Sequence, residues 1–195
     1  MSEGAATTPG VRVVDGRQVP EVGTWEIDPS HQSFEFIARH LMAKVRGRFP
    51  AASGAATIAE RPQDSTLEIE IDANSIDTKD DTRDAHMRSN DFFGVQDHPT
   101  ISFRSTGVRP GDGETHWKVD GELTVKGTTR PVTVDVEFLG GAIDPWGNQK
   151  IGFSGLVPEV NREDWDLKWN AALETGGFLL SSKVRLEIEA ELIKN

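Results

Sequence analysis

The chain has 195 residues, enough for one domain with a sizeable core and not enough to require two. Its formal net charge of −11 sets it against a phosphate backbone or an anionic surface at long range, so nucleic acid is not an expected partner. Cys and Tyr are both absent, which excludes thiol and phenol chemistry, disulfides and thiolate metal sites.

Residues 1–22 are small, polar and proline-bearing, and are expected to form a flexible N-terminal lead-in, with the domain proper spanning 23–195. The lead-in has no basic segment followed by an apolar one, so no secretory signal is read there. The expected location is cytoplasmic, or periplasmic or secreted if a signal has been removed. No apolar run approaches a membrane span, so the chain is not expected to be membrane-embedded.

Beyond Gly23 the dominant signal is alternation with a period of two. It runs through Leu67, Ile69 and Ile71, through Val119 to Val125, and through Val132, Val134, Val136 and Phe138. It is clearest at the end, where Val184, Leu186, Ile188, Ala190 and Leu192 alternate with Arg185, Glu187, Glu189 and Glu191. Turn chemistry at "PGDGE", "KGTTRP" and "DPWGNQ" separates the runs. Seven or eight such strands must close on themselves or stack as two sheets, and a closed antiparallel barrel is preferred. A barrel of this size either fills with its own side chains or holds one small ligand, and periodicity alone favours the filled core.

The helix signal lies in residues 78–89, where Thr78 and Asp81 have capping spacing and the early acids suit the positive end of the helix dipole. Asp84 and Arg88 are spaced to pair, and Arg83 and Met87 share a stripe. His86 has neither a carboxylate nor a second histidine on its helix face, so no helical zinc motif is present and no metal is assigned. Nucleophile-elbow, phosphate-loop and dinucleotide patterns are missing as well, and no catalytic residue and no cofactor is assigned. Phe92 and Phe93 follow the helix directly, so the segment reads as a flap ending in an aromatic gate.

The blocks "GTWEIDPSHQSFEFIARHLMAKVRGRF", "SIDTKDDTRDAHMRSNDFFGVQDHPTISFRST", "GELTVKGTTRPVTVDVEF" and "NREDWDLKWNAALETGGFLLSSKV", in this order, resemble the YceI-like family of bacterial polyisoprenoid-binding proteins. The resemblance covers essentially all of residues 23–192. It implies an all-β, eight-stranded antiparallel lipocalin-like barrel with one or two short helices. It also implies an apolar tunnel for non-catalytic binding, storage or transport of an isoprenoid, an isoprenoid quinone or a fatty-acid derivative, and a homodimer.

On this resemblance Phe34, Phe36, Leu41, Met42, Val45, Phe49, Met87, Phe92, Phe93, Ile101, Phe103 and Trp117 are expected in the tunnel or its mouth, with His86 beside them. Asp28, His31, Arg39, His40, Arg83 and Asp84 are expected in a polar network that either borders the mouth or ties the helix to the first strands. Two departures from the family pattern stand out: Gln32 replaces a Ser, and Trp165–Asp166 replaces Phe–Gly. The larger ring narrows the expected interior and favours a shorter or thinner chain. Two competing readings stay open: an enzyme using His86 or His40 as general base with Asp84 or Asp28, and a filled barrel serving as a stress-response interaction module.

Overall fold

The computed structural model describes residues 8–195. Eleven strands appear in chain order: β1 (Val11–Val14), β2 (Arg17–Pro20), β3 (Gly23–His40), β4 (Ala43–Phe49), β5 (Ala52–Ile58), β6 (Thr66–Asp72), β7 (Thr100–Pro110), β8 (His116–Val125), β9 (Thr128–Ile143), β10 (Gln149–Asn161) and β11 (Leu180–Lys194). One α-helix, α1 (Asp81–Arg88), lies between β6 and β7.

The main sheet runs β11-β10-β9-β8-β7-β6-β5-β3-β4, and β11 also pairs with β3, so the sheet closes. β4 and β5 both lie along β3, β4 against residues 34–40 and β5 against residues 23–26. They act as one interrupted wall strand, giving an antiparallel barrel of eight strands, as the resemblance implies. Closure through β11 and β3 answers the edge problem that the many short alternating runs pose, leaving the seven-residue β4, bridged to Asp77 at Arg48, as a short edge. Every alternating run of the sequence forms a strand, with the apolar members turned inward and the charged members outward.

The outer face carries ion pairs between neighbouring strands, among them Arg109–Asp120, Lys118–Asp135 and Arg46 with Glu35 and Glu187. A charged outer wall is the reverse of the apolar band that a lipid-spanning barrel presents. Among the described residues no helix is long and apolar enough to cross a membrane.

The lead-in departs from expectation. Residues 1–7 lie outside the described residues, but β1 and β2 pair as a hairpin laid across one end of the barrel. The Arg12 guanidinium donates to the Ala59 and Pro20 carbonyls at 2.6 and 3.0 Å, and the Gln18 amide donates to the Glu114 carbonyl at 3.0 Å. Val19 is thereby driven into the interior and buried. Beneath the hairpin Trp25, Phe138 and Ile151 are also fully buried. Gly10 approaches them so closely that a Cβ there would sit 3.1 Å from Ile151. Two four-residue strands of mixed polarity give a weak periodic signal, which is why they read as loose chain.

Inside the wall, the Phe36 ring lies over Gly47, its direct partner on β4, where a Cβ would overlap the ring. Gly47→Ala is therefore expected to force the ring off its rotamer and destabilise the protein by about 1–3 kcal/mol, measured by urea unfolding.

Candidate functional site

The closed wall surrounds a cavity of about 660 Å³, within the range of roughly 300–1,000 Å³ usual for small-ligand sites. The interior is open rather than filled. Its signature is that Leu67, Ile69, Val132, Val134, Val136 and Ile188 line the cavity yet stay only half-buried. Their side chains face empty space where a packed core would supply neighbours. The filled core that periodicity favours is thus corrected: alternation reports which way a side chain points, not whether anything meets it.

The helix covers the end opposite the hairpin. Its N-cap is Asp80, whose carboxylate accepts from the Arg83 amide at 2.9 Å, in place of the expected Thr78. Thr78 instead gives both its amide and its hydroxyl to the buried Asp84 carboxylate, at 2.8 and 2.6 Å. Arg83 closes the loop by donating to the Thr78 hydroxyl and carbonyl, each at 2.7 Å. The expected Asp84–Arg88 pair does not form, because Arg88 reaches the carbonyls of Asn74 and Ile76, each at 2.8 Å.

This backbone anchoring holds an aromatic cover. His86 packs edge-on against Phe92 and Trp169, with ring centroids 5.1 and 4.7 Å away. Deeper in, Phe93 meets Phe49 edge-on at 5.5 Å and Phe36 at 6.4 Å. Such pairs add about 0.5–1.5 kcal/mol each beyond simple burial, so the flap is held firmly.

Of the residues expected in the tunnel, Phe34, Phe36, Val45, Phe49, His86, Met87, Phe92, Phe93, Ile101, Phe103 and Trp117 all line the cavity. Leu41 and Met42 do not. They form the two-residue turn between β3 and β4 and stand in solvent, so their apolar character misled the assignment.

The expected polar network divides into separate pieces. Arg83 and Asp84 belong to the α1 anchor, and His40 lines the cavity beside it. Arg39 is exposed on the turn, bonded to the Met42 carbonyl at 3.3 Å. Asp28 and His31 instead sit where β3 bulges against β11, on the outer side of the barrel, around the ammonium of Lys150. That ammonium bonds Asp28 at 2.7 Å and Glu191 at 2.9 Å, and Asp28 bonds the His31 ring at 2.9 Å. Asp28, His31 and Glu191 have the spacing of a metal-ligand group, but the Lys150 cation already occupies their centre. The Lys150 hydrogen bond holds the Asp28 carboxyl well below its usual range, and the Asp28 bond raises the lysine in turn.

The general-base pairings are corrected too. Asp84 is taken by Thr78 and Asp28 by Lys150, while the carboxylate that meets His86 is Asp91, at 2.8 Å from Nε2. Asp91 was missed because the helix ends at Arg88 and the chain folds back over it.

A second overlooked residue is Arg162, which lines the cavity with only 5% of its surface exposed. Its guanidinium donates to the carbonyls of Ser181 and Leu167, leaving Nη2 without a partner among the described residues. Burial lowers its pKa from the ordinary value. The neighbouring departures from the family pattern find a place here. The Trp165 indole donates to the Leu123 carbonyl at 2.9 Å, and Asp166 takes the left-handed conformation (φ 60°) that a Gly adopts without strain. Gln32 is buried, with its amide donating to the Pro50 carbonyl at 2.5 Å.

The model of the YceI-like domain matches residues 25–192, nearly the whole barrel. The chain belongs to the YceI-like family. UPF0312 proteins of Staphylococcus aureus are 38% identical over 167 residues, covering 84% of this chain and 94% of theirs. Among solved structures, Burkholderia cenocepacia BcnA superposes with a TM-score of 0.74 at 19% identity, over 85% of this chain and 98% of that one. A Campylobacter jejuni YCEI protein gives 0.65 at 26%, over 80% and 90%. A polyisoprenoid binding domain from Saccharophagus degradans gives 0.62 at 15%, over 90% and 100%. In this YceI-like chain the structural likenesses extend to the whole barrel.

Proposed function

We propose that this protein binds a single-chain apolar lipid inside the barrel without transforming it, as a store or carrier. The observation that carries the reading is the open cavity of about 660 Å³, walled by half-buried Leu, Ile and Val. Most of its ionisable lining is at the α1 end, where His40, Asp80, Arg83, His86 and Arg162 line the wall, while Ser65 and Thr66 line the hairpin end. The chain therefore lies along the barrel, with any head group at that end. An isoprenoid chain fits this description, and the polyisoprenoid binding domain among the structural neighbours supports it.

Burying about twenty carbons at ~0.8 kcal/mol each yields about 16 kcal/mol gross. Association and ordering cost roughly 4–15 kcal/mol of that, leaving room for micromolar or tighter binding. One methylene changes affinity by only about 1–3 kcal/mol, so selectivity rests on chain length and on the polar end.

Mass spectrometry of an organic extract, beside a native spectrum of the intact protein, tests the reading directly. A lipid present in stoichiometric amount is expected. A protein that comes through purification empty, and then shows no mass or thermal shift with isoprenoid quinones, polyprenyl phosphates or fatty acids, would refute it.

A further inference from the structure

The turn between β3 and β4 is Leu41–Met42, flanked by the directly paired His40 and Ala43. Two-residue hairpin turns select Gly, Asn or Asp, because they place a residue at positive φ. Here Leu41 takes that position at φ 53°, a left-handed conformation costly for a residue with a Cβ. Nor is the strain offset by burial, for Leu41 is 49% and Met42 92% exposed. The Leu41 amide donates to the Leu179 carbonyl at 2.9 Å, which brings the turn beside Phe178, itself 69% exposed. Three large apolar side chains thus form one rim, for which neither turn geometry nor core packing supplies a reason.

The charges on the β3–β4 hairpin are of one sign. Residues 36–49 contain four Arg or Lys and no acid, in a chain of net charge −11. Arg46 is neutralised on the outer wall by Glu35 and Glu187, and Arg48 reaches the Gln32 carbonyl. Arg39 and Lys44, paired across the strands one step behind the turn, are exposed, and neither joins an ion pair among the described residues. The facing loop, 167–180, adds one exposed acid, Glu174.

The geometry points to this rim as a docking surface for an anionic phospholipid bilayer. Leu41, Met42 and Phe178 enter the boundary between head groups and acyl chains, while Arg39 and Lys44 meet lipid phosphates. The rim is continuous with the cavity entrance, since His40 and Leu179, neighbours of these side chains, line it. Docking therefore sets the opening against a source of apolar chains. The purpose of the contact rests on the lipid-binding reading; its geometry does not. The bulk negative charge opposes it at long range, so the contact is orientation-specific and salt-sensitive.

The test is sedimentation of the full chain with phosphatidylcholine vesicles, with and without phosphatidylglycerol. The unmodified protein is expected to partition to the anionic vesicles. The double variant L41N/M42G, which puts at position 41 a residue that tolerates positive φ, is expected to keep or raise the thermal midpoint and to bind about ten-fold more weakly or worse. Arg39→Gln and Lys44→Gln are each expected to weaken binding roughly five-fold. Equal partition of the unmodified and double-variant proteins, or none by the unmodified protein, overturns the inference. So does a dimer, seen by analytical ultracentrifugation without vesicle association, that L41N/M42G turns into a monomer. Cargo uptake measured without vesicles separates the two proposals. A protein that docks through this turn but takes up no apolar chain retains the docking and refutes the cargo; the converse result refutes the docking alone.

Discussion

Val134→Trp is expected to abolish uptake of an apolar chain while leaving the barrel folded. Val134 lies midway along β9, lines the cavity and is only half-buried, and a Cβ at Gly155 on β10 would come within 3.2 Å of its Cγ1. The space inward of it is vacant, so a larger side chain can extend there without displacing the wall. The indole adds about seven heavy atoms and excludes a similar number of chain carbons, at ~0.8 kcal/mol each. That is about 5–6 kcal/mol, more than a thousand-fold in affinity. Titration with an apolar-chain ligand measures the loss, and urea unfolding measures the stability, expected to change by no more than about 1–3 kcal/mol. If the variant binds as well as the parent, the chain does not occupy the barrel.

The second large effect is expected at Asp28→Asn. The Asp28 and Lys150 side chains are 9% and 13% exposed, so their contact is shielded from water, and Glu191 and His31 complete it. Removing one charge leaves the lysine ammonium poorly compensated, and broken buried pairs cost about 3–5 kcal/mol. At a few degrees per kcal/mol, the thermal midpoint should fall by roughly 6–15 °C.

The pH dependence follows from the lowered Asp28 pKa. A carboxyl more acidic in the folded than in the unfolded chain adds stability that is fully present above the unfolded pKa, near 3.9. It is lost as pH falls from there through the folded value. The gap between parent and Asp28→Asn should therefore be flat from about pH 5 to 7 and shrink below about pH 4, as urea unfolding at each pH will show. A gap that narrows between pH 5 and 7 would assign the effect to another group.

Much of the wall was legible because each strand of a barrel has one wet and one apolar face, and residues such as Leu67, Val134 and Ile188 repeat that division every second position. Three features were hidden for separate reasons. β3 runs 18 residues, yet Asp28 to Gln32 interrupt its alternation, because the strand bulges there to meet Lys150. The β3–β4 turn carries none of the residues that announce turns, so nothing local sets Leu41 and Met42 apart from the apolar positions expected in the tunnel or its mouth. Arg162 is a charge in an apolar wall, and the carbonyls that accept from it, Leu167 five residues on and Ser181 nineteen residues on, follow no local sequence pattern. The α1 segment was legible as a helix, while its partners depended on Trp169 and Asp91, which no local pattern connects to it.

The seam where β11 meets β3 bears on how the molecule comes to be. Bonds that fasten the two termini of the domain there join residues 173 apart, Lys194 to Glu21, and Arg46 reaches Glu187 over a separation of 141. Contacts so distant along the chain form late, because loop closure must precede them. Until β11 docks, the apolar inner faces of the other strands remain open to water and to other chains. Synthesis thus delivers the closing strand last. An apolar cargo trapped at that step would be held by the fold itself, its release then governed by local opening of the wall rather than by its affinity.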